Sequence, residues 1–218
     1  MKLKKIASLM LAGVMAVSML AGCSNGTKPD DGEKEPVVTG LTGEVVAALD
    51  EDTTKAVSFT SDSNLDNVVA KYVQKNGTNG VKNISASALN SIDDEVSEET
   101  KFTWPDSVGN KDSAKSAAKE ANVTIVVSSN TVTAGASRDY AVKQIAKAID
   151  DAIENLNLKD DTVIFNVDID NDGEAEQFWY DYSYAGNLSV TEVKDATTGV
   201  VSYVAVFTVT RTAAQQNK

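Results

Sequence analysis

The 218-residue chain contains no histidine, one cysteine and only two arginines, Arg138 and Arg211. Without histidine it lacks the usual proton shuttle at neutral pH, every Ser-His or Cys-His nucleophile pair, and almost every zinc, copper or iron site built from protein ligands. A single cysteine excludes an intrachain disulfide, so the fold must depend on core packing or on bound metal. The enzymatic chemistry left open is that of carboxylate pairs or Ser-Lys pairs.

Phosphate-binding features are equally scarce. Two arginines cannot form a multi-Arg phosphate clamp, and neither common glycine-rich phosphate loop occurs. The chain carries 20 Lys and Arg residues against 32 Asp and Glu residues, a formal net charge of −12. Because such a body is repelled by nucleic acid and by anionic lipid, we expect no nucleic-acid partner.

The N-terminus has the pattern of an export signal. Three lysines within Met1–Lys5 precede the uncharged apolar run Ile6–Ala21. That run is shorter than the roughly 20 residues that a membrane-spanning helix needs. It ends in Leu20-Ala21-Gly22-Cys23, which resembles the lipobox of bacterial lipoproteins. The resemblance implies cleavage after Gly22 and a diacylglyceryl group on the thiol of Cys23.

The lipobox resemblance implies an organisation in three parts. Residues 1–22 would be the lipoprotein signal peptide, and residues 23–36 the lipidated N-terminus followed by a polar, disordered tether. Residues 37–218 would form a single extracytoplasmic domain, held by lipid on the outer face of the cell membrane. The alternative is an ordinary secretory signal with a chance cysteine at this position.

Apolar spacing predicts alternating strands and helices before residue 160. A strand is predicted at Ala56–Thr60, then a helix that Ser63 caps and Asn76-Gly77 ends. Another strand at Asn122–Val127 precedes the most strongly periodic segment, a helix that is capped near Ser137 and runs to about Leu156. Around Glu44 to Leu49 both a strand and a short helix fit the pattern.

The last third has the alternation of β-structure. We predict four strands, at Thr162–Ile169, Gln177–Tyr184, Val190–Lys194 and Val200–Thr210. The predicted fold class is α+β, with an antiparallel β-meander in the C-terminal third packed against the long amphipathic helix, and with an N-terminal strand and helix portion.

A row of aromatic residues lies in the second of these strands. Phe178, Tyr180, Tyr182 and Tyr184 share one face, because side chains alternate along a strand. Packing of this row beneath the helix is the favoured interpretation, and a platform on which sugars stack is the alternative. In the first case Trp179 faces outward.

One segment carries recognisable chemistry. The sequence Asp168-Ile-Asp170-Asn-Asp172-Gly173-Glu174-Ala-Glu176 has carboxylates at alternate positions and a glycine that permits a sharp turn. It resembles hairpin-type calcium-binding loops. The resemblance implies that Asp168, Asp170, Asp172 and Glu176 donate side-chain oxygens and that Glu174 donates its backbone carbonyl to Ca²⁺. The alternative is a solvated, Asp-rich hairpin turn without an ion.

Three functions are compatible with this sequence. The favoured one is a non-enzymatic binding or structural module of the cell envelope, tethered through Cys23, with an envelope protein or a glycan as partner and a calcium-stabilised hairpin. A glycan hydrolase that uses two carboxylates is the second. A solute-binding receptor is the third, although a folded body of this size rarely forms two lobes. No catalytic residue is identifiable from spacing.

Overall fold

The computed structural model describes residues 38–93, 96, 102, 111–127, 135–159, 162–168, 170 and 172–216. The predicted signal peptide, Cys23 and the predicted tether lie outside these residues. The described part contains six helices and one five-stranded sheet, which confirms the prediction of a mixed fold of helices and strands. None of its helices combines the length and the apolar character needed to cross a membrane.

The elements follow one another in this order. The helices are α1 (Gly40–Val46), α2 (Glu51–Ala56), α3 (Ser63–Val81), α4 (Ala86–Asn90), α5 (Lys111–Ala117) and α6 (Arg138–Leu156). The strands are β1 (Ser58–Thr60), β2 (Ala121–Val127), β3 (Val163–Val167), β4 (Glu176–Lys194) and β5 (Val201–Gln216).

The sheet is organised around β4. Strand β5 pairs with β4 in antiparallel register from Trp179 opposite Gln216 to Lys194 opposite Val201, and β2 pairs antiparallel with the outer side of β5. On its other side β4 is shared by two strands. The antiparallel strand β3 pairs with its first residues, and the parallel strand β1 pairs with residues 185–187.

Helices pack on both faces of the sheet. On one face, which we call the α6 face, Ile145, Ile149 and Ile153 of α6 form a buried cluster with inward-facing residues of β4 and β5 such as Leu188 and Phe207. On the opposite face, the α3 face, residues of α3 and α4 pack against side chains near the β4–β5 turn, and these include Val193, Val204 and Val206. The core therefore has two layers, separated by the sheet.

The long helix α6 has clear physical causes at both ends. The side chain of Ser137 accepts a hydrogen bond from the backbone N–H of Tyr140, and so satisfies one of the free N–H groups of the first turn. Asn157 ends the helix in the left-handed conformation, which asparagine tolerates better than most residues. Between them Ala141, Ile145 and Ile149 are buried at helical spacing.

Helix α3 differs from the prediction at its start and near its end. Its cap is Asp62 rather than Ser63, because the Asp62 carboxylate accepts the N–H of Asn64, and Ser63 is already helical. Gly77 adopts φ 62° and ψ −163°, which is not helical. The predicted end at Asn76-Gly77 is thus a kink, after which helical structure continues to Val81.

Strand β4 corrects the predicted meander. The segments Gln177–Tyr184 and Val190–Lys194, predicted as two strands, form one continuous strand of 19 residues. The intervening residues include Ala185, Gly186 and Asn187, which have low β propensity. In the structure this segment pairs with β1, and a Cβ atom at Gly186 would lie 2.5 Å from the ring of Phe59. A small residue is required there because β1 approaches closely.

Around Glu44 to Leu49, where a strand and a short helix both fit the sequence, the structure has the end of helix α1 followed by a turn. Polar contacts attach α1 to the rest of the fold. Thr42 Oγ1 accepts the backbone N–H of Val190 at 3.2 Å, on the side of β4 beyond β1. The guanidinium of Arg138 donates to both carboxylate oxygens of Glu44 at 2.9 and 2.8 Å. This hydrogen-bonded pair holds the pKa of Glu44 below its ordinary value.

Candidate metal centre

The loop between β3 and β4 brings the predicted aspartates together. Val167, the last residue of β3, pairs with Glu176, the first residue of β4, so Asp168, Asp170 and Asp172 lie at the end of a hairpin. Asp168, Asp170 and Asp172 each place a carboxylate oxygen within 4.8 Å of the others. Two oxygens that each lie about 2.4 Å from a Ca²⁺ ion are at most about 4.8 Å apart, so this spacing can accommodate one metal ion.

Two local hydrogen bonds shape the loop. The backbone N–H of Gly173 donates to Asp168 Oδ2 at 2.9 Å, and the N–H of Glu174 donates to Asp172 Oδ1 at 2.8 Å. Gly173 has φ 92°, a conformation that residues with a Cβ atom rarely adopt. These contacts curl the chain so that alternate side chains converge, and they would do so in a solvated turn as well as in a metal site.

The environment of Asp168 bears on these two interpretations. Asp168 is half-buried, and its Oδ1 atom is shielded from solvent but accepts no hydrogen bond within the described part of the chain. An unsatisfied shielded oxygen costs about 1–3 kcal/mol, and more when it carries charge. Two further carboxylates lie beside it, which adds like-charge repulsion. A cation bound by the three aspartates would relieve both costs.

The other two predicted ligands lie outside this cluster of three carboxylates. Glu174 and Glu176 are both exposed, the first near the end of the loop and the second at the start of β4. The predicted coordination by the Glu174 carbonyl and the Glu176 side chain stays a prediction. Oxygen-only ligands of this kind select Ca²⁺ or Mg²⁺ over transition metals.

The aromatic row belongs to the core. Tyr180 and Tyr184 are buried, and Phe178 and Tyr182 are half-buried among neighbouring apolar side chains. The packing interpretation is thereby confirmed, with one correction: only the Tyr184 end lies beneath α6. Tyr180 packs with Phe165 of β3 and with Ala117 of α5, a cluster separate from the main core.

A buried cation at the end of this row escaped the sequence reasoning. Arg211 of β5 is 1% exposed, and its guanidinium carbon lies 5.0 Å from the ring centre of Tyr182 and 5.5 Å from that of Phe102. Its Nη2 atom donates to the backbone carbonyl of Lys119 at 3.2 Å. The sequence carries one indication of this burial. Arg211 lies two and four residues from the apolar residues Val209 and Phe207, so all three side chains share one face of β5.

A shallow cavity lies where β4 has neither β3 nor β1 beside it. Its volume is about 810 Å³, and its lining includes Lys55, Lys159, Tyr182 and Tyr184. Among the described residues that line it, Asp52 is the one carboxylate. A hydrolase of the predicted kind needs two carboxylates across a cleft. The described part of the lining therefore contains one carboxylate and not the pair that such chemistry requires.

Comparisons with models of known protein families, with characterised proteins and with solved structures find no match to this chain.

Proposed function

We propose that the chain is a lipoprotein with a single α+β domain, held by lipid on Cys23 at the outer face of the cell membrane. The domain acts as a non-enzymatic binding or structural module of the cell envelope, with an envelope protein or a glycan as partner. Its β3–β4 loop binds Ca²⁺ through Asp168, Asp170 and Asp172, with Glu174 and Glu176 completing the coordination shell.

The anchor is supported by the N-terminal sequence. The only cysteine of the chain is the residue at which the lipobox pattern requires a thiol. A diacylglyceryl group supplies two acyl chains, and two chains give stable membrane retention where one does not. The excess of acidic residues keeps the folded body away from anionic lipid, so the lipid has to provide the attachment.

The calcium site is supported chiefly by Asp168 Oδ1. This shielded, unsatisfied oxygen lies within 4.8 Å of carboxylate oxygens from Asp170 and Asp172. Extracellular modules bind Ca²⁺ with dissociation constants of about 0.1–1 mM, so a loop exposed outside the cell needs no high affinity. A metal here is structural, because it would join three side chains at the end of the β3–β4 hairpin.

Calorimetric titration of the mature protein in detergent tests the metal site. We expect one Ca²⁺ per chain with a dissociation constant of about 0.1–1 mM, and weaker binding of Mg²⁺, which demands a tighter octahedral shell. Asp170→Asn removes a ligand charge and should weaken Ca²⁺ binding at least about tenfold. Asp66→Asn, at an exposed position on α3, is the matched control and should leave it unchanged. Equal binding by both variants would exclude the site.

Labelling of cells with an alkyne analogue of palmitate tests the anchor. The wild-type chain should take up the label and partition into detergent, whereas Cys23→Ala should remain unlabelled, because the thiol is the only acceptor for the lipid. Ser24→Ala, one residue further on, is the control and should be labelled normally. An unlabelled wild-type chain, or label on Cys23→Ala, contradicts lipidation at this residue.

A further inference from the structure

The α3 face has one half that α3 does not cover, and we call this half the neutral face. It is defined by the strand register, in which Trp179 of β4 lies opposite Ile164 of β3 and Gln216 of β5, and Ser183 lies opposite Thr212. Its members are the outward-facing residues at this end of three strands, namely Ile164, Asn166, Gln177, Trp179, Asp181, Ser183, Ala185, Asn187, Thr208, Thr212, Ala214 and Gln216.

This face is accessible. Ser183, Ala185, Thr212, Ala214 and Gln216 are exposed, and Trp179 is half-buried. Ile164 is 48% exposed, which makes it the one large apolar side chain of the neutral face that reaches solvent to this extent. The indole of Trp179 and the side chain of Ile164 are directly opposite each other on neighbouring strands, so they form a small apolar patch at one end of a polar surface.

The absence of charge is the informative property of the neutral face. The whole chain has 52 charged residues, 20 basic and 32 acidic, but only one of them, Asp181, lies on the neutral face. The Asp181 carboxylate accepts hydrogen bonds from the side chains of Thr162 and Gln216, so each of its two oxygens has a neighbouring donor. All the other members carry hydroxyl, amide or apolar side chains.

This composition disfavours most partners. A surface without Lys or Arg cannot neutralise phosphates, which excludes nucleic acid and anionic lipid headgroups. Protein interfaces concentrate several aromatic residues, Met and Arg at a desolvated centre, whereas this face has one indole at its edge. Side-chain amides and hydroxyls are both donors and acceptors, and an uncharged polyhydroxyl ligand can satisfy them without leaving a buried charge unpaired.

We propose that the neutral face binds a neutral polysaccharide chain. One sugar ring stacks its apolar C–H face on Trp179 beside Ile164, and its neighbours along the chain form hydrogen bonds with the amides and hydroxyls that extend across β4 and β5. The proposal rests on the proposed function, in that it chooses the glycan among the envelope partners named there. It does not depend on calcium or on lipid, so each can fail without the other.

Fluorescence titration of the mature protein tests this site. The chain has two tryptophans, so a Trp104→Phe background leaves Trp179 as the only indole. Cellohexaose and chitohexaose serve as neutral probes and a hexagalacturonate as the anionic one. We expect a saturable change in Trp179 emission with at least one neutral probe and none with the anionic probe.

Variants of the protein test whether the change in fluorescence comes from binding at the neutral face. In calorimetric titration Trp179→Ala should weaken binding about tenfold, the loss of one stacking contact. Thr212→Arg, which places a bulky charge at an exposed position in the middle of the face, should weaken it as much without removing any core atom. Tyr140→Ala removes an aromatic ring that is 49% exposed on α6, and should leave the affinity unchanged. Binding of neither neutral probe, or affinity unchanged in both face variants, overturns the proposal.

Discussion

Gly186 shows how a single residue without a side chain determines the position of a strand. A Cβ atom at this residue would lie 2.5 Å from two ring atoms of Phe59 and 2.9 Å from Val57 Cγ1. Both neighbours are buried in the main core, and the Phe59 ring also packs edge-on against Phe207 at 5.8 Å. The ring cannot move aside without disturbing that pair, so the parallel pairing of β1 with β4 depends on glycine at this position.

Gly186→Ala should therefore destabilise the protein by overpacking. Insertion of one extra methyl group into a packed core costs typically about 1–3 kcal/mol, and we expect a loss of this size in the free energy of unfolding measured with urea. Ala185→Ser is the control, because Ala185 is the exposed neighbour on the opposite face. A loss of similar size in both variants would mean that propensity for β-structure, and not contact with Phe59, is responsible.

The roles of single residues could be predicted from the sequence where the interaction that determines them is local. The prediction that Ser137 caps α6 is confirmed, because a hydroxyl just before an apolar periodic run can accept a free N–H of the first turn. For α3 the predicted cap, Ser63, is one residue after the observed cap, Asp62. Aspartate and serine are both good caps, and the choice between them depends on tertiary packing. Alternation along β5 predicts that Arg211 faces inward but not that it lies between two rings, because Phe102 is more than a hundred residues away in the sequence.

At the scale of elements, α2 depends on a carboxylate from another helix. Its own cap residue, Asp50, makes no side-chain capping bond, but the backbone N–H of Asp50 donates to both carboxylate oxygens of Asp150 on α6, at 3.2 and 3.3 Å. A negative charge at a helix N-terminus is favourable, because it faces the free N–H groups and the positive end of the helix dipole. Asp150 thus joins the N-terminal helices to the central helix of the core.

Two adjacent aspartates on α6 allow a matched test of this contact. Asp150→Ala should lower the free energy of unfolding by about 1 kcal/mol, the usual cost of losing a capping oxygen. Asp151→Ala removes only an exposed ion pair with Lys147 and should cost less than about 0.5 kcal/mol. Both changes add the same helix-favouring alanine, so the difference between the two variants in urea denaturation reports the Asp50 contact. Equal losses would contradict it.

Elements were predictable where their periodicity was long and uninterrupted. Helix α6 and strand β2 lie within one residue of the predicted bounds, since each has an apolar pattern over its whole length. Strand β4 was divided in two, because Ala185, Gly186 and Asn187 give no strand signal on their own. Their reason for being in a strand is the contact with β1, and a sequence read in windows contains no information about contacts of that range.

For the molecule as a whole, the hairpin of β3 and β4 links the candidate metal centre to the candidate glycan surface. The aspartate loop lies at one end of the hairpin, and the Ile164–Trp179 pair lies on the same two strands. On the other face of the hairpin, Phe165, Val167 and Tyr180 form a small cluster apart from the main core. A cluster of this size stabilises the hairpin only modestly, so a metal ion bound at its end would add to the stability of the hairpin.

The aspartate loop was the part of the site that the sequence predicted best. Ligand spacing is local, so the convergence of Asp168, Asp170 and Asp172 could be inferred from alternate positions and one glycine. The neutral face could not be inferred in the same way. It combines Ile164, Trp179 and Gln216 from three strands. The register that places them side by side depends on how the whole sheet pairs, which the sequence alone does not give.

Hydrogen exchange with and without calcium tests whether Ca²⁺ stabilises the β3–β4 hairpin. Backbone amides of Val163–Val167 and of Glu176–Tyr180 should exchange more slowly in about 1 mM Ca²⁺ than in chelator, because a ligand that binds the folded loop suppresses its opening. The amides of α6 should not change, and Asp170→Asn should abolish the difference in the hairpin. Equal exchange rates in the hairpin of the wild-type protein with and without calcium would contradict stabilisation of the hairpin by Ca²⁺.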